Sequence, residues 1–92
     1  MKKIDLIDLI SKEINITRSE SRKSVEIVID EISMAIISGN GVEVRGFGGF
    51  KRRYRKGRIG VNPKSGQKTI VSEKFVPFFK PGKFLKDEVN KG

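Results

Sequence analysis

The chain has 92 residues, with 20 Lys/Arg against 11 Asp/Glu, a formal net charge of +9, and neither cysteine nor histidine. That composition excludes disulfide staples, leaves a zinc site without its usual ligands, and removes the imidazole and thiol on which triad catalysis rests. The length suits one domain with a limited core, so oligomerisation is the remaining source of extra stability.

No apolar run approaches the roughly 18 residues of a membrane span. Asp5 and Asp8 interrupt the apolar start, which a signal-peptide core would not tolerate well, so the chain reads as a soluble intracellular protein. Residues 3–15 form the first expected helix. Ile7, Ile10 and Ile14 recur at helical spacing with Leu6 beside them, and Asp8 and Lys12 lie four apart as a stabilising pair. The helix breaks at Asn15.

Thr17-Arg18-Ser19-Glu20 then has the spacing of a capping box, with Thr17 as N-cap and Glu20 at N3. It opens a second helix that runs to about Ser38. Val25, Val28, Ile29, Ile32, Ala35 and Ile36 make a sustained apolar stripe, widened by Ile27, Met34 and Ile37. The stripe fits an ordinary core, and it also fits contact with a second subunit. Ser38-Gly39-Asn40-Gly41 stops the helix and turns the chain.

Val42-Glu43-Val44-Arg45 alternates as a strand, and Gly46 turns it into Phe47-Gly48-Gly49-Phe50. The paired glycines suggest a bulge or a close backbone approach. They do not form a dinucleotide loop, because the G-x-G-x-x-G spacing is absent and no helix follows.

Charge is unevenly placed. Residues 1–50 hold 7 basic and 8 acidic residues, whereas residues 51–74 hold 9 basic residues and the single acid Glu73. A localised basic segment of this kind points to a polyanion, nucleic acid first. Neither face of Lys51–Lys56 is apolar, so the stretch is either disordered or a hairpin projecting into solvent. Asn62-Pro63-Lys64-Ser65-Gly66 is a turn signal that favours the hairpin. Fully extended, Phe50 to Pro63 spans roughly 40 Å, enough to track a groove far from the body. Pro63 either pre-sets that turn or acts as a wedge between base pairs.

Phe75-Val76-Pro77-Phe78-Phe79 returns to a body-like pattern, Lys80-Pro81-Gly82 ends it, and Lys83–Asn90 is a short final helix. The carboxylates are mostly interleaved with lysine and arginine on helices, where a solvated surface is expected. No catalytic pair, metal site or cofactor is indicated, so the chain reads as a binding protein and not an enzyme.

Three blocks, VEVRGFGGF (42–50), GVNPKSG (60–66) and VPFFKPGKFLKDEVN (76–90), carry a resemblance that covers essentially the whole chain. Their order and separation resemble the bacterial HU and integration host factor family of DNA-bending, histone-like nucleoid proteins. RGFGGF and FKPGKFLKD look closer to the integration host factor subunits.

The resemblance implies an α+β fold: two N-terminal helices, a three-stranded antiparallel sheet with a long β-ribbon arm, and a short C-terminal helix. It implies one domain over 1–92, with 1–50 as dimerisation base and start of the sheet, 51–74 as the arm, and 75–92 as final strand and helix. The dimer would be intertwined, a homodimer or a heterodimer with a paralogue. Its partner would be double-stranded DNA, bent and gripped in the minor groove, in the cytoplasmic nucleoid.

The resemblance makes Pro63 the wedge, with Asn62 beside it. It assigns Arg52, Arg53, Arg55, Arg58, Lys64 and Lys68 to arm contacts. Arg45 would reach the minor groove, and Lys3, Lys80, Lys83 and Lys86 would meet phosphates along the flank. Phe47, Phe50 and Phe79 would be core and dimer aromatics. One departure stands out: the family tip usually reads GRNP, whereas here Val61 precedes Asn62. A basic RNA-binding or ribosome-associated protein is the rival reading.

Overall fold

The computed structural model describes residues 1–91. Helix α1 covers Lys3–Glu13, and Asp5 accepts a hydrogen bond from the backbone N–H of Lys2 (2.7 Å) at its start. Its end is set by Asn15, which takes the left-handed conformation (φ 55°) while the N–H of Ile16 donates to the carbonyl of Ser11 (3.1 Å). Asparagine tolerates that region better than most residues, and the bond satisfies a terminal carbonyl. Asp8 pairs not with Lys12 but with Arg18, at 2.8 Å, across the helix connection. The tight turn brings Arg18 closer than the helical neighbour.

Helix α2, Arg18–Ser38, begins at the expected capping box. Glu20 N–H donates to Thr17 Oγ1 (3.1 Å), and Thr17 N–H donates to Glu20 Oε1 (3.0 Å). The helices meet where Ser21 Oγ donates 2.6 Å to the carbonyl of Ile7, and both residues are completely buried. A small side chain there lets the backbones approach and satisfies its own hydroxyl.

Apart from that contact the core of one chain is thin. Ile7 and Val25 are the buried apolar residues among those described. On α2, Ile32, Ala35 and Ile36 are half-buried, but Val28, Ile29, Ile27, Met34 and Ile37 are exposed. A single chain therefore leaves much of the apolar stripe uncovered.

Strands β1 (Val42–Val44), β2 (Gly48–Arg55) and β5 (Lys74–Pro81) form an antiparallel sheet in the order β1-β2-β5. Strand β1 stops one residue before Arg45. The N–H of Phe47 bonds to the carbonyl of Val44 (3.0 Å), and Gly46, at φ +87°, closes the turn as glycine does without strain. Phe47, Phe50 and Phe79 cluster with ring centroids 4.8–6.2 Å apart.

Since β1 pairs only with Gly48–Phe50, the ribbon has two strands from Lys51 outward. It is not one continuous ladder. Strands β3 (Arg58–Val61) and β4 (Lys68–Val71) form a separate two-stranded sheet, set off by Lys56-Gly57 and Ser72-Glu73. No residue is gained or lost across the break: Arg55 opposes Lys74 before it, and Arg58 opposes Val71 after it. Gly57 sits so close to the opposite strand that a Cβ would lie 3.1 Å from the carbonyl of Val71.

Helix α3 covers Lys83–Asn90. The radius of gyration is 19.0 Å, against about 12 Å for a compact chain of this length. The long axis measures 59 Å, most of it owed to the projecting ribbon.

Candidate nucleic-acid interface

At the tip, the N–H of Asn62 donates to the carbonyl of Gln67 (2.9 Å) and the N–H of Gly66 to the carbonyl of Asn62 (2.8 Å). The Asn62 side chain accepts from the N–H of Lys64 (2.9 Å), an Asx-type closure around Pro63. Gly66, at φ +70°, completes the turn. Pro63 has no N–H to lose, and the turn holds it, exposed, at the far end of the arm.

The stem carries the charge. In register, Lys51, Arg53 and Arg55 share one side of the ladder with Phe78, Val76 and Lys74. The guanidinium of Arg53 lies 3.7 Å over the ring of Phe78, which holds it flat against the strand. At the elbow between the two ladders, Arg53, Arg55, Arg58, Lys56 and Lys74 line one concave cleft of about 720 Å³. Lys68 lies on β4 opposite Val61, near the tip.

Arg52 behaves differently. Its guanidinium stacks over Phe75 (4.2 Å) and donates to the carbonyl of Ile37 (3.3 Å) at the end of α2. That helix has no basic residue of its own in its last turn. Gly39 leaves the space, since a Cβ there would lie 2.9 Å from the Arg52 guanidinium. A cation at a helix C-terminus meets the negative end of the dipole.

Glu73, the one acid of the basic segment, accepts a 2.5 Å hydrogen bond from the Tyr54 hydroxyl beside the elbow. Donating to this carboxylate pushes the Tyr54 phenol above its ordinary pKa. Tyr54 also packs edge-on against Phe75 (5.6 Å).

On the body, Lys80, Lys83 and Lys86 line a second cleft of about 570 Å³ with Lys51 and Glu43. The turn before α3 and the edge of β5 bring these lysines together. Lys3 stands apart and pairs with Glu26 (3.6 Å). Arg45 is exposed on the β1–β2 turn and lines neither cleft. Lys51, Lys56 and Lys74 were not singled out from the sequence, yet all three line these clefts. Lys74 could have been found by pairing the strands, since it faces Arg55 across the ladder.

The family model for bacterial DNA-binding proteins matches residues 1–90. The chain belongs to that family. Among curated relatives, integration host factor subunit beta of Histophilus somni is 42% identical over 91 residues, covering 98% of this chain and 97% of the relative. The beta subunit of Azotobacter vinelandii is 38% identical, covering 98% and 99%.

Among solved structures of the family, an Anabaena HU–DNA cocrystal structure superposes with a TM-score of 0.88 at 32% identity, covering all of both chains. An HU variant from Thermotoga maritima gives 0.70 at 27% identity, over 97% of this chain and 99% of the other. The leaning of RGFGGF and FKPGKFLKD toward integration host factor agrees with these relatives. As a bacterial DNA-binding protein, the chain has the α+β order that its sequence led one to expect.

Proposed function

We propose that this chain is a dimeric, non-enzymatic protein that bends duplex DNA and helps organise the bacterial nucleoid in the cytoplasm. The observation that carries the reading is the arm: a two-stranded ribbon with nearly all the excess positive charge, projecting from a nearly neutral body and ending at Pro63. A second copy of the chain is the partner proposed for the uncovered α2 face, with residues 1–50 as the base.

Arg53, Arg55, Arg58, Lys64 and Lys68 hold phosphates or groove edges along the arm. Lys80, Lys83 and Lys86 hold the DNA flank, with Lys3 and Arg45 at its margins. Arg52 adds positive potential while anchoring the arm. Each neutralised phosphate releases counterions, so affinity falls steeply with salt. Asn62 fixes the turn that presents Pro63, and Pro63 enters between base pairs. Unstacking costs a few kcal/mol, offset by the protein surface that bent DNA can wrap, as is known for minor-groove bending proteins of this class. The RNA-binding alternative is not favoured by the family or by its DNA-bound relative.

The test compares Pro63→Ala with the parent on intact and pre-kinked DNA. Bending of intact duplex, read by end-to-end energy transfer, should fall more than affinity for the pre-kinked duplex. Equal loss of both removes the wedge. A structured RNA bound more tightly than kinked DNA would overturn the function itself.

A further inference from the structure

The connection from α2 to β1 holds a residue pair with its own chemistry. The asparagines of the chain are Asn15, Asn40, Asn62 and Asn90, and only Asn40 precedes a glycine. An asparagine side chain can be attacked by the backbone nitrogen of the residue that follows it. Glycine presents that nitrogen unshielded, because it has no Cβ, whereas Ile16 and Lys91 crowd theirs. Pro63 has no N–H to give up, so Asn62 cannot react in this way. Asn40 is exposed to the water that the reaction needs.

The fold holds this pair shut. The N–H of Gly41 donates to the carbonyl of Ala35 at 2.9 Å, across the end of α2. While that bond stands, the nitrogen is engaged with the helix and not with the side chain of Asn40. Gly39 at φ +88° and Gly41 at φ +71° give the chain the path that makes the bond possible. Arg52 braces the same turn from the sheet. Its guanidinium donates to the carbonyl of Ile37 and lies against Gly39.

We propose that Asn40-Gly41 is a deamidation site, gated by the Gly41–Ala35 hydrogen bond and braced by Arg52. Helix ends open locally more readily than helix middles, so release of that bond sets the rate. In the open turn the Gly41 nitrogen attacks the side-chain carbonyl carbon of Asn40. The new N–Cγ bond closes a succinimide ring, the nitrogen gives its proton to solvent base, and the side-chain amide leaves as ammonia. One water then opens the ring at either carbonyl, giving aspartate or isoaspartate. No electron is transferred, and nothing besides water is consumed.

The product alters the cleft on the body. Asn40 lines it together with Lys51, Lys80, Lys83, Lys86 and Glu43. A carboxylate at residue 40 joins that of Glu43 and lowers the positive potential the cleft offers to a phosphate. Isoaspartate also routes the main chain through an extra methylene, just ahead of the Val42–Phe50 pairing. The modification stands by itself, while its effect on DNA rests on the DNA-bending reading above.

The test incubates the full chain at mildly alkaline pH and maps its peptides, separating aspartyl from isoaspartyl products. Asn40 should convert ahead of Asn15, Asn62 and Asn90, and Asn40→Gln should stay unmodified at this peptide. Arg52→Ala should convert about fivefold faster than the parent, the factor for one lost hydrogen bond. Thr17→Ala, which loosens α2 at its other end, should keep the parental rate. The chain unfolded in denaturant should convert fastest. Equal rates in the parent, Arg52→Ala and the unfolded chain overturn the gate. Equal acceleration by Arg52→Ala and Thr17→Ala overturns it too, because the route is then global unfolding. Conversion of Asn40 no faster than that of Asn15 in the unfolded chain overturns the site.

The consequence is read with Asn40→Asp. Its affinity for duplex DNA should fall about threefold at low salt and converge on the parental value as salt rises. Parental affinity at every salt concentration overturns the effect on DNA and leaves the modification. Failure of the parent protein to bind duplex DNA would instead refute the DNA-bending reading.

Discussion

Arg52 donates to the carbonyl of Ile37 at 3.3 Å, joining the β2 strand of the arm to the last turn of α2. Two adjacent arginines on one strand thus face different tasks. Arg53 lies over Phe78 on the side that carries the basic stem, while Arg52 turns inward, stacked on Phe75. The arm is seated on the helical base through this contact as well as through the sheet.

Removing it should loosen the seat without removing a DNA phosphate contact. Arg52→Ala is expected to cost about 1 kcal/mol of stability, from a lost hydrogen bond, stack and helix-end charge. Arg52→Lys should recover part of it, because it restores the charge but not the planar stack. Thermal unfolding measures the cost. In the same variants, the slope of log affinity against log salt should stay at the parental value. A slope lower by about 1 would instead make Arg52 a phosphate ligand.

Gly48 is the position where the sheet cannot accept a side chain. A Cβ there would lie 2.5 Å from the carbonyl of Lys80 and 2.7 Å from the ring of Phe79. The backbone oxygen cannot swing away as a flexible side chain would. Gly48→Ala should therefore cost about 1–3 kcal/mol and disturb the Phe47–Phe50–Phe79 cluster. Chemical denaturation gives the first quantity, and phenylalanine ring resonances report the second. Gly46→Ala, whose added Cβ meets open space, should suffer mainly from its positive φ.

The Tyr54–Glu73 contact makes the elbow sensitive to alkali. The carboxylate of Glu73 raises the Tyr54 pKa, so the folded value lies above the unfolded one. Stability from this bond is complete below the ordinary phenol pKa and is lost as pH rises through the raised value. Glu73→Gln should bring the phenol titration, followed by ultraviolet absorbance, back toward its ordinary midpoint. An unmoved titration would show that Tyr54 and Glu73 do not meet in solution.

The capping box on α2 predicts the opposite pH limb. The backbone N–H of Thr17, and then its side chain, hold the Glu20 carboxyl below its usual range. Stability from this source is present above the ordinary carboxylate pKa and is lost as pH falls through the lowered one. Thr17→Ala removes the hydroxyl partner of the Glu20 N–H and should cost about 1 kcal/mol at neutral pH. Melting temperature followed from neutral to acid should drop in the parent and start lower in the variant.

The helices and the tip were legible in the residue order because their causes are local. Thr17 and Glu20 are three residues apart, Asn15 ends α1 by its own conformational tolerance, and Asn62 closes its turn on Lys64 two residues on. Family motifs in three blocks supplied the order of the strands. By itself, then, the sequence determined the elements, the charged arm and the apolar stripe of α2.

Only the tertiary structure decided which cations stand together, and it overruled local expectation wherever distant backbone approached. Asp8 chose Arg18 over Lys12, Arg52 turned toward Ile37, and the ribbon broke at Gly57 without changing register. Spacing along a chain ranks neighbours within one element. Partners across a sheet or between helices depend on which backbones pack, and the apolar side of the arm appears only when Ile59 is set opposite Ile70.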